Sequence, residues 1–128
     1  MTLPPPLQVK DVAVSNSLIL IQGDDLAPLD AAAGERVQML VFSATWCGPC
    51  KAMAPVVEDI AAAYAAEVAV AKIDIEQSPE IAKAFDVRGV PTLIVRRGET
   101  IDRHVGALTR TRLAMMLDAA LEDGNRPA

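Results

Sequence analysis

The hydrophobic positions of this chain switch repeatedly between runs and spaced faces. Leu18-Ile19-Leu20-Ile21 is a short apolar run, read as a strand, and Gly23 breaks it. Residues 37–42 and 68–73 are nearly continuous apolar stretches, as strands buried on both faces require. Between them Met53, Val56, Val57, Ile60, Ala61 and Tyr64 recur at the spacing of one helix face. Pro55 lies inside that face. It has no N–H to give to the Lys51 carbonyl, which predicts a kink.

Punctuation residues bound the other elements. Asp24 or Asp25 is placed to cap a helix carrying Leu26, Leu29 and Ala33, which Gly34 ends. Ser78-Pro79-Glu80 opens another: Ser78 caps, Pro79 fits the first turn, Glu80 complements the dipole, and Ile81 and Phe85 face the core. Residues 92–95 and 101–105 read as two strands joined by a tight turn at Arg96-Arg97-Gly98-Glu99. Thr109 caps a last helix with Leu113, Met116, Leu117, Ala120 and Leu121 on one face, ended by Gly124 and Pro127. Met115-Met116 reads as core packing.

The predicted order is βαβαβαββα, an α/β fold. Early alternation implies parallel neighbours with crossover helices, and the last two strands form an antiparallel hairpin. The expected result is a central mixed sheet with helices on both faces. The domain spans residues 17–123, after a loosely ordered arm at 1–16 that contains Pro4, Pro5 and Pro6, and before a tail at 124–128.

Composition narrows the function classes. The chain has 128 residues, 52% of them hydrophobic and only 3% aromatic, so aliphatic side chains must fill one core. A net charge of -5 argues against nucleic-acid binding, which needs a basic footprint. No apolar run approaches the ~18 residues of a membrane span. The N-terminus lacks a basic start followed by an apolar stretch, so no export signal is read there. With two cysteines, the expected compartment is the cytoplasm, where thiols stay reduced and disulfides are transient.

Both cysteines fall in Trp46-Cys47-Gly48-Pro49-Cys50-Lys51, between a strand and a helix. That junction is the sheet edge where ligands bind in open α/β folds. The helix start offers unpaired N–H groups and partial positive charge, and Lys51 adds a cation. All favour a thiolate at Cys47 over the ordinary thiol of pKa ~8.5. Cys50, one turn later, is expected to be more buried, less acidic and second to act. Gly48 lets a partner backbone approach, and Pro49 restricts the first turn. Two buried hydrophobes would be the bland alternative, but the spacing and placement read as redox chemistry. Zinc needs about four ligands, and only His104 could join the two cysteines. His104 itself reads as an exposed edge position, and Asp74 and Glu76 as surface charges.

Over roughly residues 17–123 the sequence resembles the thioredoxin family. The motif Trp46-Cys47-Gly48-Pro49-Cys50-Lys51 matches that family's active site, and Pro55 falls where its second helix kinks. Arg88-Gly89-Val90-Pro91-Thr92 matches the segment with its cis-proline, and Val105-Gly106-Ala107 its glycine segment. The resemblance implies a thioredoxin fold and a protein-disulfide reductase that maintains cell redox homeostasis by electron transport. Cys47 would attack a substrate disulfide and Cys50 would resolve the mixed disulfide. Trp46, Gly48, Pro49, Val90, Pro91 and Gly106 would form the substrate surface, with Val90 pairing to an extended segment by strand addition. No cofactor is expected to be bound, since NADPH and FAD act through a thioredoxin reductase-like flavoprotein. A monomer is expected, with protein disulfides as substrates and no nucleic-acid or membrane partner.

Two positions depart from the family pattern. Val41 stands where most members carry a buried aspartate, so Lys72 loses that partner. Lys72 then either reaches solvent along its stem or, as a desolvated amine, helps deprotonate Cys50; water is the other acceptor. Ser43 stands where a tryptophan is usual, which opens the surface or lets another side chain fill it. Against the reductase stand an oxidase or isomerase on the same fold, which Gly48-Pro49 disfavours, and a non-catalytic binding module or holdase.

Overall fold

The computed structural model describes residues 17–124. Strands β1 (Leu18–Leu20), β2 (Val37–Ser43), β3 (Val68–Asp74), β4 (Thr92–Arg97) and β5 (Glu99–Val105) form one sheet in the order β1-β3-β2-β4-β5. Helices α1 (Ala27–Ala33), α2 (Gly48–Ala63), α3 (Pro79–Ala84) and α4 (Arg110–Gly124) separate or follow them. Every residue of β2 is buried, as its unbroken apolar run requires of a central strand. β3 runs parallel to β1 and β2, while β4 runs antiparallel to β2 and β5. The mixed sheet of the sequence reading is therefore the observed one.

The two faces carry separate cores. Met39, Val41, Val70 and Leu93 pack under α2 and α4, through Met53, Val57, Ile60, Leu113 and Leu117. Leu40, Phe42, Ala71 and Ile94 pack under α1 and α3, through Leu29 and Ile81. Period-two alternation along β2 thus splits neighbouring residues between two helix layers. With few rings available, one aromatic contact stands out on the second face, Phe42 to Phe85 at 5.8 Å between centroids.

Several local expectations change. Ile21 lies just beyond β1, although its N–H still donates to the Lys72 carbonyl at 3.1 Å. β4 and β5 run through the expected four-residue turn and leave only Gly98 between them, at φ +77°. A register shift at Val95/Arg96 absorbs the mismatch. Gly124 still belongs to α4, while residues 1–16 and 125–128 lie outside the described residues. Met116 joins the core as expected, but Met115 is 59% exposed, because the next position on a helix turns about 100° away.

The caps are redistributed as well. Ser78 does not cap α3; its hydroxyl donates instead to the Gly23 carbonyl. Asp24 caps that helix from across the fold, accepting from Glu80 N–H at 2.8 Å and Ile81 N–H at 3.0 Å. Asp25 serves α1, accepting from Ala27 N–H at 3.0 Å. Thr109 caps α4 as expected, accepting from Arg112 N–H at 3.2 Å.

Candidate active site

β2 ends at Ser43 and α2 begins at Gly48, so the intervening turn delivers Cys47 to the helix N-terminus. Cys47 is the N-cap residue, extended at φ −87° and ψ 110°, and Pro49 sits in the first turn. The Cys50 backbone N–H donates to Cys47 Sγ at 3.1 Å. Sulfur here takes the place that a serine or aspartate oxygen holds in an ordinary cap, and it meets the positive end of a 16-residue helix. Cys47 and Cys50 are joined as a disulfide with their Cα atoms 5.2 Å apart. The arrangement can open to a dithiol and hold the first sulfur as a thiolate.

Both cysteines are buried, but not in the expected order. Cys47 is 4% exposed and Cys50 8%. Ala44 shares their buried cluster, and Ile75 and Val90 pack against it. Cys50 meanwhile lines open space on its own side of the disulfide.

Three loops converge on this pair. Val90 is half-buried, and the Val90–Pro91 bond is cis. Gly106 N–H donates to the Pro91 carbonyl at 2.8 Å, which ties the loop after β5 to the start of β4. Gly106 lies at φ +110°, a conformation that favours glycine. Gly48 and Pro49 are exposed at the helix tip. Trp46 is 63% exposed, and its indole N–H donates to Glu76 Oε2 at 3.1 Å. Pro91, Val90 and Gly106 are therefore brought together, while Trp46 is fixed toward the loop after β3.

That loop holds what sequence reasoning missed. Glu76 is a partner of Trp46 rather than a bare surface charge, and Ile75 packs against the cysteines. Asp74 Oδ1 accepts from Glu76 N–H at 2.7 Å and Gln77 N–H at 3.3 Å, shaping the turn. The usable signal was strand register: Ser43 pairs with Asp74, so whatever follows β3 arrives beside whatever follows β2.

Beneath the disulfide, Val41 of β2 is in register with Lys72 of β3. Val41 is 4% exposed and Lys72 is half-buried, with no ion pair to Lys72 among the described residues. A cavity of about 20 Å³ is lined there by Val41, Cys50, Met53, Glu58, Lys72 and Pro91. That volume accommodates one water beside Cys50. Lys51 is exposed on α2. His104 is half-buried on edge strand β5 rather than fully exposed, and it lies beside Gly106. Among the described residues no three His, Cys, Asp or Glu side chains are grouped to hold a metal.

Comparison with known proteins agrees with this geometry. The family model described as Thioredoxin matches residues 30–119. Thioredoxins of Staphylococcus aureus strains Mu50 and MW2 are each 41% identical over 96 residues, covering 74% of this chain and 92% of theirs. The solved structure of a mutant thioredoxin from Halobacterium salinarum NRC-1 has a TM-score of 0.71 at 35% identity, covering 80% of this chain and 88% of that one. This chain belongs to the thioredoxin family, and its Cys47–Cys50 pair is the redox centre of a thiol–disulfide oxidoreductase that reduces protein disulfides.

Proposed function

We propose that Cys47 is the attacking thiolate and Cys50 the resolving thiol. The observation that carries this assignment is the 3.1 Å hydrogen bond from Cys50 N–H to Cys47 Sγ at the N-terminus of α2. Charge on that sulfur is stabilised by the helix end, whereas Cys50 lies inside the first turn with no such cap.

The reaction runs in two exchanges. Cys47 Sγ bonds to one sulfur of the substrate disulfide, the substrate S–S bond breaks, and the other substrate sulfur leaves as a thiolate and takes a proton. Cys50 then gives up its proton and bonds to Cys47 Sγ. The mixed disulfide breaks, and the second substrate sulfur leaves. Substrate gains two electrons, and this chain is left with the Cys47–Cys50 disulfide. A flavoprotein reductase of the thioredoxin reductase class, drawing on NADPH, returns the two electrons. The chain works in the cytoplasm as a monomeric electron carrier between that reductase and protein disulfides.

Trp46, Gly48, Pro49, Val90, Pro91 and Gly106 form the surface on which substrates dock. Their support is convergence on one end of the sheet, with the Val90 backbone at the start of β4 available for strand addition. Lys51 tunes the site as an exposed cation one position past Cys50, and Lys72 acts on Cys50 through the small cavity they both line. Residues 17–123 are the catalytic unit.

A reduction potential tests the direction of the reaction. A reductant of this type lies at about −270 mV, and ~30 mV shifts the equilibrium about tenfold. A value about 100 mV more oxidising would make the chain an oxidase instead.

A further inference from the structure

Met115 is 59% exposed on α4, although Met116 beside it is buried. It borders a groove of about 290 Å³ between α4 and edge strand β5. Asp102 and His104 of β5 line one wall, and Leu108, Arg112, Met115 and Met116 the other. His104 is in register with Leu93, which packs under α4, so both lie on the α4 side of the sheet.

Two contacts connect this groove to the redox site. His104 Nε2 lies 3.9 Å from where a Cβ would stand on Gly106. Gly106 N–H in turn donates to the Pro91 carbonyl at 2.8 Å. The groove therefore continues the surface formed by Val90, Pro91 and Gly106.

Its charges select a partner. Arg103 is committed elsewhere, its guanidinium donating to the Phe85 and Asp86 carbonyls. Arg110 is paired with Asp59 of α2. Asp102 Oδ1 accepts from the Arg103 backbone N–H at 2.8 Å. Arg112 is exposed, with no ion pair among the described residues. It precedes Met115 by one helical turn, so the two are neighbours on one helix face. Thioether side chains adapt to varied apolar shapes. A segment matched to this pair presents a large apolar side chain next to a carboxylate.

We infer that the groove between β5 and α4 is a second docking subsite, which holds an apolar and acidic stretch of a protein substrate beyond its cysteines. Met115 covers the apolar side chain and Arg112 meets the acid. Both are specificity-determining residues, and the exchange at Cys47 is untouched. The inference rests on the docking surface proposed above, because a substrate seated on Val90 and Gly106 is what carries the stretch past His104.

The test uses the pre-reduced full chain and three synthetic peptides with the same disulfide loop. Each loop carries six-residue tails on both sides, a reach of about 20 Å. The tails alternate leucine with glutamate, leucine with lysine, or serine with glycine. Peptides are mixed below saturation, quenched in acid and alkylated, and oxidation of the chain is read by mass spectrometry. The net charge of -5 alone would favour the lysine tails. The expected order is the reverse: glutamate tails react about threefold faster than lysine tails. They also react about fivefold faster than serine–glycine tails. Met115→Ser removes most of the second advantage, and Arg112→Glu inverts the first. The serine–glycine peptide reacts at the wild-type rate with both variants. Equal rates for the three peptides, faster lysine tails with wild type, or variants that slow all three alike would each overturn the inference. Trp46→Ala tests the underlying surface separately, through the rate of the serine–glycine peptide. A slower rate there supports that surface and an unchanged rate removes it, while the inference is read from the difference between tails.

Discussion

The indole N–H of Trp46 and the carboxylate of Glu76 meet at 3.1 Å, joining the turn before α2 to the loop after β3. Trp46 stays 63% exposed, so this bond orients the ring without burying it. A large exposed ring held in one orientation loses less side-chain entropy when a partner covers it, which suits the docking role proposed for Trp46.

Glu76→Ala is expected to release the ring. A hydrogen bond of this kind is worth roughly 1 kcal/mol, so KM for insulin should rise about two- to fivefold with little change in kcat. Trp46 is the only tryptophan, and its fluorescence reports the release directly. An altered emission with an unaltered KM would separate ring orientation from substrate docking.

Val41→Asp places a carboxyl in register with Lys72 and on the wall of the cavity that Cys50 lines. Resolution of the mixed disulfide is expected to speed up by about tenfold or more, through general-base help to Cys50. The buried polar group should cost about 2 kcal/mol of stability. Stopped-flow resolution rates measured across roughly pH 6–9 check this. Rates equal to wild type throughout would show that Cys50 deprotonation does not limit the step.

Asp24→Ala removes both hydrogen bonds that cap α3 from 56 and 57 residues away in sequence. The expected loss is about 1–2 kcal/mol, a fall in Tm of roughly 4–8 °C, with insulin reduction unchanged at 25 °C. A calorimetric scan measures it. Ser78→Ala should disturb the same junction differently, by losing the bond to the Gly23 carbonyl.

Much of this architecture was legible in the chain. The two buried runs gave β2 and β3, and the 3.6-residue face gave α2 through Pro55, because those patterns depend only on near neighbours in sequence. The redox pair was equally legible from spacing and placement. What escaped were partnerships across long sequence distances. Asp24 caps a helix for which Ser78 is the local candidate, and Glu76 reaches Trp46, because parallel strand register brings distant loops together. The burial order of Cys47 and Cys50 also escaped. It depends on Ile75 and Val90 packing over the pair and on the space that opens beside Cys50.

Tyr64 ties the end of α2 to α4, its hydroxyl donating to Asp118 Oδ1 at 2.8 Å. Burial first, then the Asp118 hydrogen bond and charge, raise its pKa above the ordinary 10.0. The folded state therefore holds this proton more tightly than the unfolded chain. The stabilisation is complete below pH 10.0 and is lost as pH rises through the folded value. Tyr64→Phe should show a flatter decline in stability above that pH, measured by urea unfolding at successive alkaline pH values. Parallel curves for the two proteins would contradict the assignment.

The division of labour between the two sulfurs is tested most directly by trapping. The Cys50→Ser variant, incubated with insulin and analysed by intact and peptide mass spectrometry, should accumulate a mixed disulfide on Cys47. The Cys47→Ser variant should accumulate none under the same conditions. Trapping of insulin on Cys50 in the Cys47→Ser variant, at a rate matching its counterpart, would contradict the assignment of Cys47 as the attacking thiolate.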